Sequence, residues 1–167
     1  MQKLTAEQTA ELLRLYHQMP IEIKTLEIAL KQKQDPDAVI YGAVVSQNVS
    51  GMPHDNGVSD KTQRVALEYS DLIDREISGI MHRITLLKGV MNQIDVVLDS
   101  LTSDETIVFK PYYVDGITWG AIASSLPPGY DIHSERAVIR RGKSILEKVS
   151  RLLNISSEEL QEIKKEG

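Results

Sequence analysis

The residues best suited to chemistry in this chain are cations gathered on one short stretch. From Ser134 to Arg151 there are six basic residues (Arg136, Arg140, Arg141, Lys143, Lys148, Arg151) and two acidic ones (Glu135, Glu147), a net charge of +4. The whole 167-residue chain carries −5, so the remainder stands at −9. At the helical advance of about 100° per residue, Val138, Gly142, Ile145, Val149 and Leu152 share one face. Arg136, Arg140, Lys143, Glu147 and Arg151 occupy the opposite face, and Arg141 and Lys148 flank the apolar stripe. An acidic protein with one basic helix face concentrates its affinity for anions there. Such a helix can pack its inner face on a domain and offer its outer face to a DNA major groove, where Arg and Lys reach guanine edges and phosphates. The plainer alternative is a solvated charged face, which most amphipathic helices possess.

Other chemistries find little support. The chain has no Cys, which excludes disulfides, thiolate nucleophiles and Cys-based zinc sites. His17, His54, His82 and His133 are scattered, and no pair has helical ligand spacing with a carboxylate. His54 lies near Asp55 and Asp60, where a turn is the simpler reading. Asp71, Asp74, Glu76, Asp95 and Asp99 read as the solvated face of a helix. There is no phosphate-binding glycine loop and no nucleophile elbow around Ser50-Gly51. The sequence therefore points to no metal, no cofactor and no enzyme.

The elements that must position the basic face are legible from periodicity and caps. Thr5 to Gln34 shows apolar spacings of three and four, interrupted by Pro20, where a break or kink is expected. Residues 35–59 are rich in turn formers, with Ala38 to Val49 as a short strand or an extended connection. Asp60 and Gln63 form a capping signal for a long helix. In it Ile73, Ile80, Leu87 and Ile94 alternate with Ile77, Ile84, Met91 and Leu98 over four heptads, a coiled-coil pattern. Tyr69, Leu72, Leu86, Val90 and Val97 widen the stripe, and Met81 with Met91 reads as packing. The helix before Gln34 is the natural antiparallel partner, and self-association is the other way to cover the stripe. Thr102 with Glu105 caps the next helix, which Pro111 is expected to end near Lys110. Asp115-Gly116 turns the chain, Thr118 caps a short helix, Pro127-Pro128-Gly129 stops it, and Ser134 caps the basic helix. Trp119 reads as core. After Asn154 a Glu- and Lys-rich tail is expected to be solvated, capped by Ser156 with Glu159.

Leu101, Tyr112-Tyr113-Val114-Asp115-Gly116-Ile117-Thr118-Trp119, Ile122-Ala123 and Leu126, ahead of a Ser-initiated helix, resemble region 4 of bacterial sigma factors. With the Ser50-Gly51-Met52-Pro53 loop and the long helix, the stretch from Val49 to Leu153 resembles small phage and prophage late transcription regulators of the RinA/ArpU type from Gram-positive bacteria. Seven residues separate Leu126 from Ser134, a longer turn than the pattern usually has. The resemblance implies a helix-turn-helix in which Ser134, Glu135 and Arg136 stand at the start of the recognition helix. Arg136, Arg140 and Lys143 would be the principal DNA contacts, with Arg141 and Lys148 on phosphates. Thr118 would bond a phosphate or simply cap its helix.

The expectation is an all-α protein in three parts. Residues 1–100 form a helical, coiled-coil-like oligomerisation module, 101–153 a helix-turn-helix DNA-binding domain, and 154–167 a polar tail. Its partners would be double-stranded DNA, host RNA polymerase by resemblance, and further copies of itself as a homodimer or higher homo-oligomer. No uninterrupted apolar run reaches membrane-spanning length, and the N-terminus lacks a signal-peptide apolar stretch, so no membrane partner and a cytoplasmic location are expected. Two rival functions remain: a ring-forming, small-terminase-like DNA-packaging subunit, and a helical adaptor that binds no DNA.

Overall fold

A computed structural model describes residues 3–35, 60–130 and 134–165; at 60–66 and 69 it describes the backbone alone. The described residues form an all-helical protein of seven helices: α1 (Ala6–Leu15), α2 (Met19–Gln34), α3 (Asp60–Asp99), α4 (Ser103–Tyr113), α5 (Trp119–Ser125), α6 (Glu135–Leu152) and α7 (Ser157–Lys165). None of these is long and apolar enough to cross a membrane. The Ser50-Gly51-Met52-Pro53 loop, His54, His133, the stretch Ala38 to Val49 and the capping side chains of Asp60 and Gln63 lie outside the described residues.

The chain divides into two compact units, Met1–Ile21 with Leu86–Gly167, and Glu22–Thr85. The first helix falls in the same unit as the last third of the chain. In the first unit α6 packs against α1, α4 and α5, and α1 also meets α4 and α7. Thr5 opens α1 with a reciprocal capping box to Gln8. The helix stops at Leu15, and α2 starts afresh at Met19. Pro20 therefore sits in the first turn of α2, where its missing N–H would have had no partner in any case. The expected break falls just before the proline rather than at it.

Leu12, Leu13, Leu87, Val90, Ile94, Val108, Phe109, Ile122, Val138 and Ile145 are among the core residues of this unit. The Tyr16 hydroxyl donates to Asp95, which fixes the end of α1 to α3. Burial and that hydrogen bond, the larger cause, push the Tyr16 pKa up to about 12.

The tail departs from expectation. Ser156 and Glu159 do form their capping box, with the Ser156 N–H donating to the Glu159 carboxylate at 2.7 Å and the Glu159 N–H to the Ser156 hydroxyl at 3.2 Å. But α7 is not a solvated helix. Ile155, Leu160 and Ile163 are buried, Lys164 pairs with Glu11 at 2.6 Å, and Lys3 and Ser156 form an isolated antiparallel bridge. The Glu and Lys residues occupy one side of an amphipathic helix whose other side belongs to the core.

In the second unit, Arg83 is 4% exposed and its guanidinium donates to Glu22 at 2.7 Å. Lys33 pairs with Glu76. The two contacts run in opposite order along α2 and α3. Ile73, Ile77 and Ile80 are half-buried, while Ile84 is buried. Leu72 (51% exposed) and Met81 (52%) lie outside the packed stripe, against the expectation that both would be covered. They fall off the line of the heptad positions, on the flanks of α3.

Candidate nucleic-acid interface

The candidate interface comprises α4, α5 and α6. Three local signals set their starts. Thr102 accepts from the Glu105 N–H at 3.3 Å, while the Glu105 carboxylate accepts from the Thr102 N–H at 3.0 Å. Thr118 accepts from the Ala121 N–H at 3.5 Å, and Ser134 from the Ala137 N–H at 3.3 Å. Each cap satisfies amides that the first helical turn leaves without a backbone partner.

Contrary to expectation, α4 does not end near Lys110. It runs through Pro111 to Tyr113. Val108, Phe109 and Tyr113 are buried around the proline, and Phe109 and Tyr113 pack with ring centroids 4.7 Å apart. Tertiary burial thus outweighs the one lost hydrogen bond. The chain then folds back: the Val114 and Asp115 amides donate to the Lys110 carbonyl, and the Ile117 amide to that of Pro111. Gly116 has φ +71°, a conformation that other residues adopt only with strain. The Asp115-Gly116 turn forms as expected.

A close contact then sets α5 on α6. Trp119 is half-buried, stacks on Tyr112 with centroids 3.7 Å apart and planes 14° apart, and meets Tyr113 edge-on at 5.8 Å. The ring reaches so near Gly142 that a Cβ there would lie 2.2 Å from Trp119 Cη2. Gly142 is the one position on the buried face of α6 that admits this approach. Helical spacing puts Gly142 on the inner face, but nothing local in the sequence signals that the Trp119 ring meets it there.

The inner face of α6 comprises Val138, Gly142, Ile145, Leu146 and Val149. Leu152, expected among them, is 49% exposed. The helix ends at that residue, and the extended backbone of Leu153 (ψ 128°) sends that side chain inward instead.

Arg136, Arg140, Arg141 and Lys143 are all exposed, as are Ser134, Glu135 and Thr118. Arg136, Arg140 and Lys143 stand at i, i+4 and i+7, one row along about 10 Å of helix. No ion pair to them is found among the described residues. Farther along, Glu147 and Arg151 face each other at 4.0 Å, both well exposed, so that end of the face is internally balanced. The positive charge of the face is therefore concentrated in its N-terminal half. Glu135 lies against α5, where a Cβ on Gly120 would be 3.9 Å from its carboxylate.

Lys148 is placed differently from the row. Its ammonium donates to both carboxylate oxygens of Glu105, at 2.9 and 2.8 Å. That pair, reinforced by the Thr102 amide, lowers the Glu105 pKa. One residue further back, Asp104 accepts from the Tyr130 hydroxyl at 2.7 Å, which ties Tyr130 to the start of α4 and raises the Tyr130 pKa. The Glu105 capping box is visible in the sequence, but nothing local signals that Lys148, 43 residues on, shares its carboxylate.

Among the described residues no cluster of His, Asp or Glu could hold a metal ion. Comparison with protein-family models, curated proteins and solved structures returns no match for this chain.

Proposed function

We propose that this chain is a sequence-specific DNA-binding transcription regulator of phage or prophage type. In this reading α4, α5 and α6 act as a helix-turn-helix of the sigma region-4 kind, with α6 as the recognition helix. The observation that carries the reading is the row Arg136, Arg140 and Lys143: exposed, without ion-pair partners among the described residues, and opposite a face that the rest of the unit buries. A recognition helix needs that division, because its inner face must be held while its outer face stays free for the groove. Arg136 and Arg140 are suited to bidentate contact with guanine N7 and O6, and Lys143 to a neighbouring phosphate or base edge. Ser134 and Glu135 stand at the helix start, where base edges are first met. The Thr118 hydroxyl is spent on its cap but remains at the surface.

Residues on α3 would join two or more copies, and two linked DNA-binding heads raise apparent affinity through effective concentration. The test is selection from a random duplex library at moderate salt, with the mass of the retained complex measured by light scattering. A small oligomer retaining a defined motif is the expected result. A large ring would favour a packaging subunit. No retained duplex would leave a helical adaptor as the better account.

A further inference from the structure

Six cations lie on α6, but they do not stand in equal surroundings. Glu105 is held in place from three directions. It is the third residue of α4, its carboxylate accepts the Thr102 N–H, and its side chain is 12% exposed. It is therefore a preorganised acceptor, and Lys148 meets it with two hydrogen bonds. Asp104 holds Tyr130 across the same turn. Glu105 thus offsets Lys148 on the flank, whereas no ion pair to Arg136, Arg140 or Lys143 is found among the described residues.

We propose that the acidic first turn of α4 is an electrostatic fence: Glu105 withholds Lys148 from phosphate, so that duplex DNA is gripped by the Arg136–Arg140–Lys143 row. This rests on the DNA-binding reading above and makes Glu105 a residue that sets sequence-independent affinity without touching DNA. Its effect follows from how non-specific affinity arises. Each cation that reaches a phosphate releases condensed counterions, and non-specific binding grows with their number. Withholding this flank cation lowers affinity for all sequences alike and leaves base readout by the row intact.

Glu105→Gln is the direct test, because glutamine retains an acceptor for the Thr102 amide and removes only the charge. The readout is the salt dependence of binding to a duplex of scrambled sequence. In E105Q the slope of log K against log salt steepens by about 0.9, and affinity at ~0.1 M salt rises about eightfold, as expected for one added phosphate contact. Lys148→Ala alone leaves the wild-type slope unchanged, and E105Q with K148A returns to that slope. Circular dichroism and thermal melting establish that each variant is folded. Wild-type binding with an unchanged slope in folded E105Q overturns the fence alone, as does a slope that K148A flattens by about 0.9 in the otherwise wild-type chain. No duplex binding by wild type or by E105Q overturns both the fence and the DNA-binding reading.

Discussion

Gly142→Ala puts the packing of α5 on α6 to a test whose sign is informative. In an exposed helix interior this change stabilises by about 1 kcal/mol, because glycine gives up the most backbone freedom on folding. Here the added Cβ would lie 2.2 Å from Trp119 Cη2, 2.8 Å from Cζ3 and 3.2 Å from Cζ2. Carbon contacts relax to roughly 3.5–4.0 Å, so the ring edge or the helix must retreat by more than about 1 Å. The indole is not free to retreat, since Tyr112 lies flat on it and Tyr113 meets its edge. Overpacking of this kind costs about 1–3 kcal/mol and here exceeds the propensity gain. We expect a net destabilisation of about 1–2 kcal/mol. Trp119 is the only tryptophan, so its fluorescence in urea titration reports both stability and the local environment of the contact. Gly89→Ala is the control: it lies within α3 with nothing within 4 Å of a Cβ, and it should stabilise by up to about 1 kcal/mol. A Gly142→Ala variant as stable as wild type, with unchanged tryptophan emission, would refute the close-approach argument.

Three further outcomes follow from the packing and the charges. Leu160→Ala should lower stability by about 2–5 kcal/mol in chemical denaturation, because Leu160 is fully buried in α7; a loss under about 0.5 kcal/mol would mean the tail is solvated after all. Glu22→Ala removes the hydrogen-bonded carboxylate from the buried Arg83 guanidinium and should lower stability by about 1–2 kcal/mol; an unchanged urea midpoint would contradict a contribution from this pair. The folded-state Tyr16 pKa is raised, so its contribution to stability is complete below about pH 10 and is lost as pH rises toward about 12. Tyr16→Phe should remove that part of the alkaline decline, and an identical pH–stability profile for the two proteins above pH 10 would contradict the Asp95 hydrogen bond.

What could be read from the sequence was local. The capping signals at Thr102, Thr118, Ser134 and Ser156 act within four residues, and all four form their hydrogen bonds. The exposed row on α6 also follows from spacing alone, because an 18-residue helix must place i, i+4 and i+7 on one side. The readings that differ depend on burial and on where each helix stops. Pro111 stays inside α4 because neighbouring aromatic rings are buried around it. Leu152 turns outward because the chain leaves α6 there. The segment after Asn154 looks polar by composition, yet Ile155, Leu160 and Ile163 suffice to bury it against the first helix's unit. Lys148 belongs by spacing to the basic helix and by contact to Glu105. The last two are settled by residues at least 43 positions away, where neither periodicity nor capping carries information.

The most direct measurement of the central claim is duplex binding by wild type and by the triple variant Arg136→Ala, Arg140→Ala, Lys143→Ala. It should be followed by anisotropy between about 50 and 200 mM salt, with helical content checked by circular dichroism. The expected result is wild-type binding that weakens steeply with salt and is lost in a variant of unchanged helicity. Wild-type protein that retains no duplex at the lowest salt, or a folded triple variant that binds as wild type does, would contradict the account.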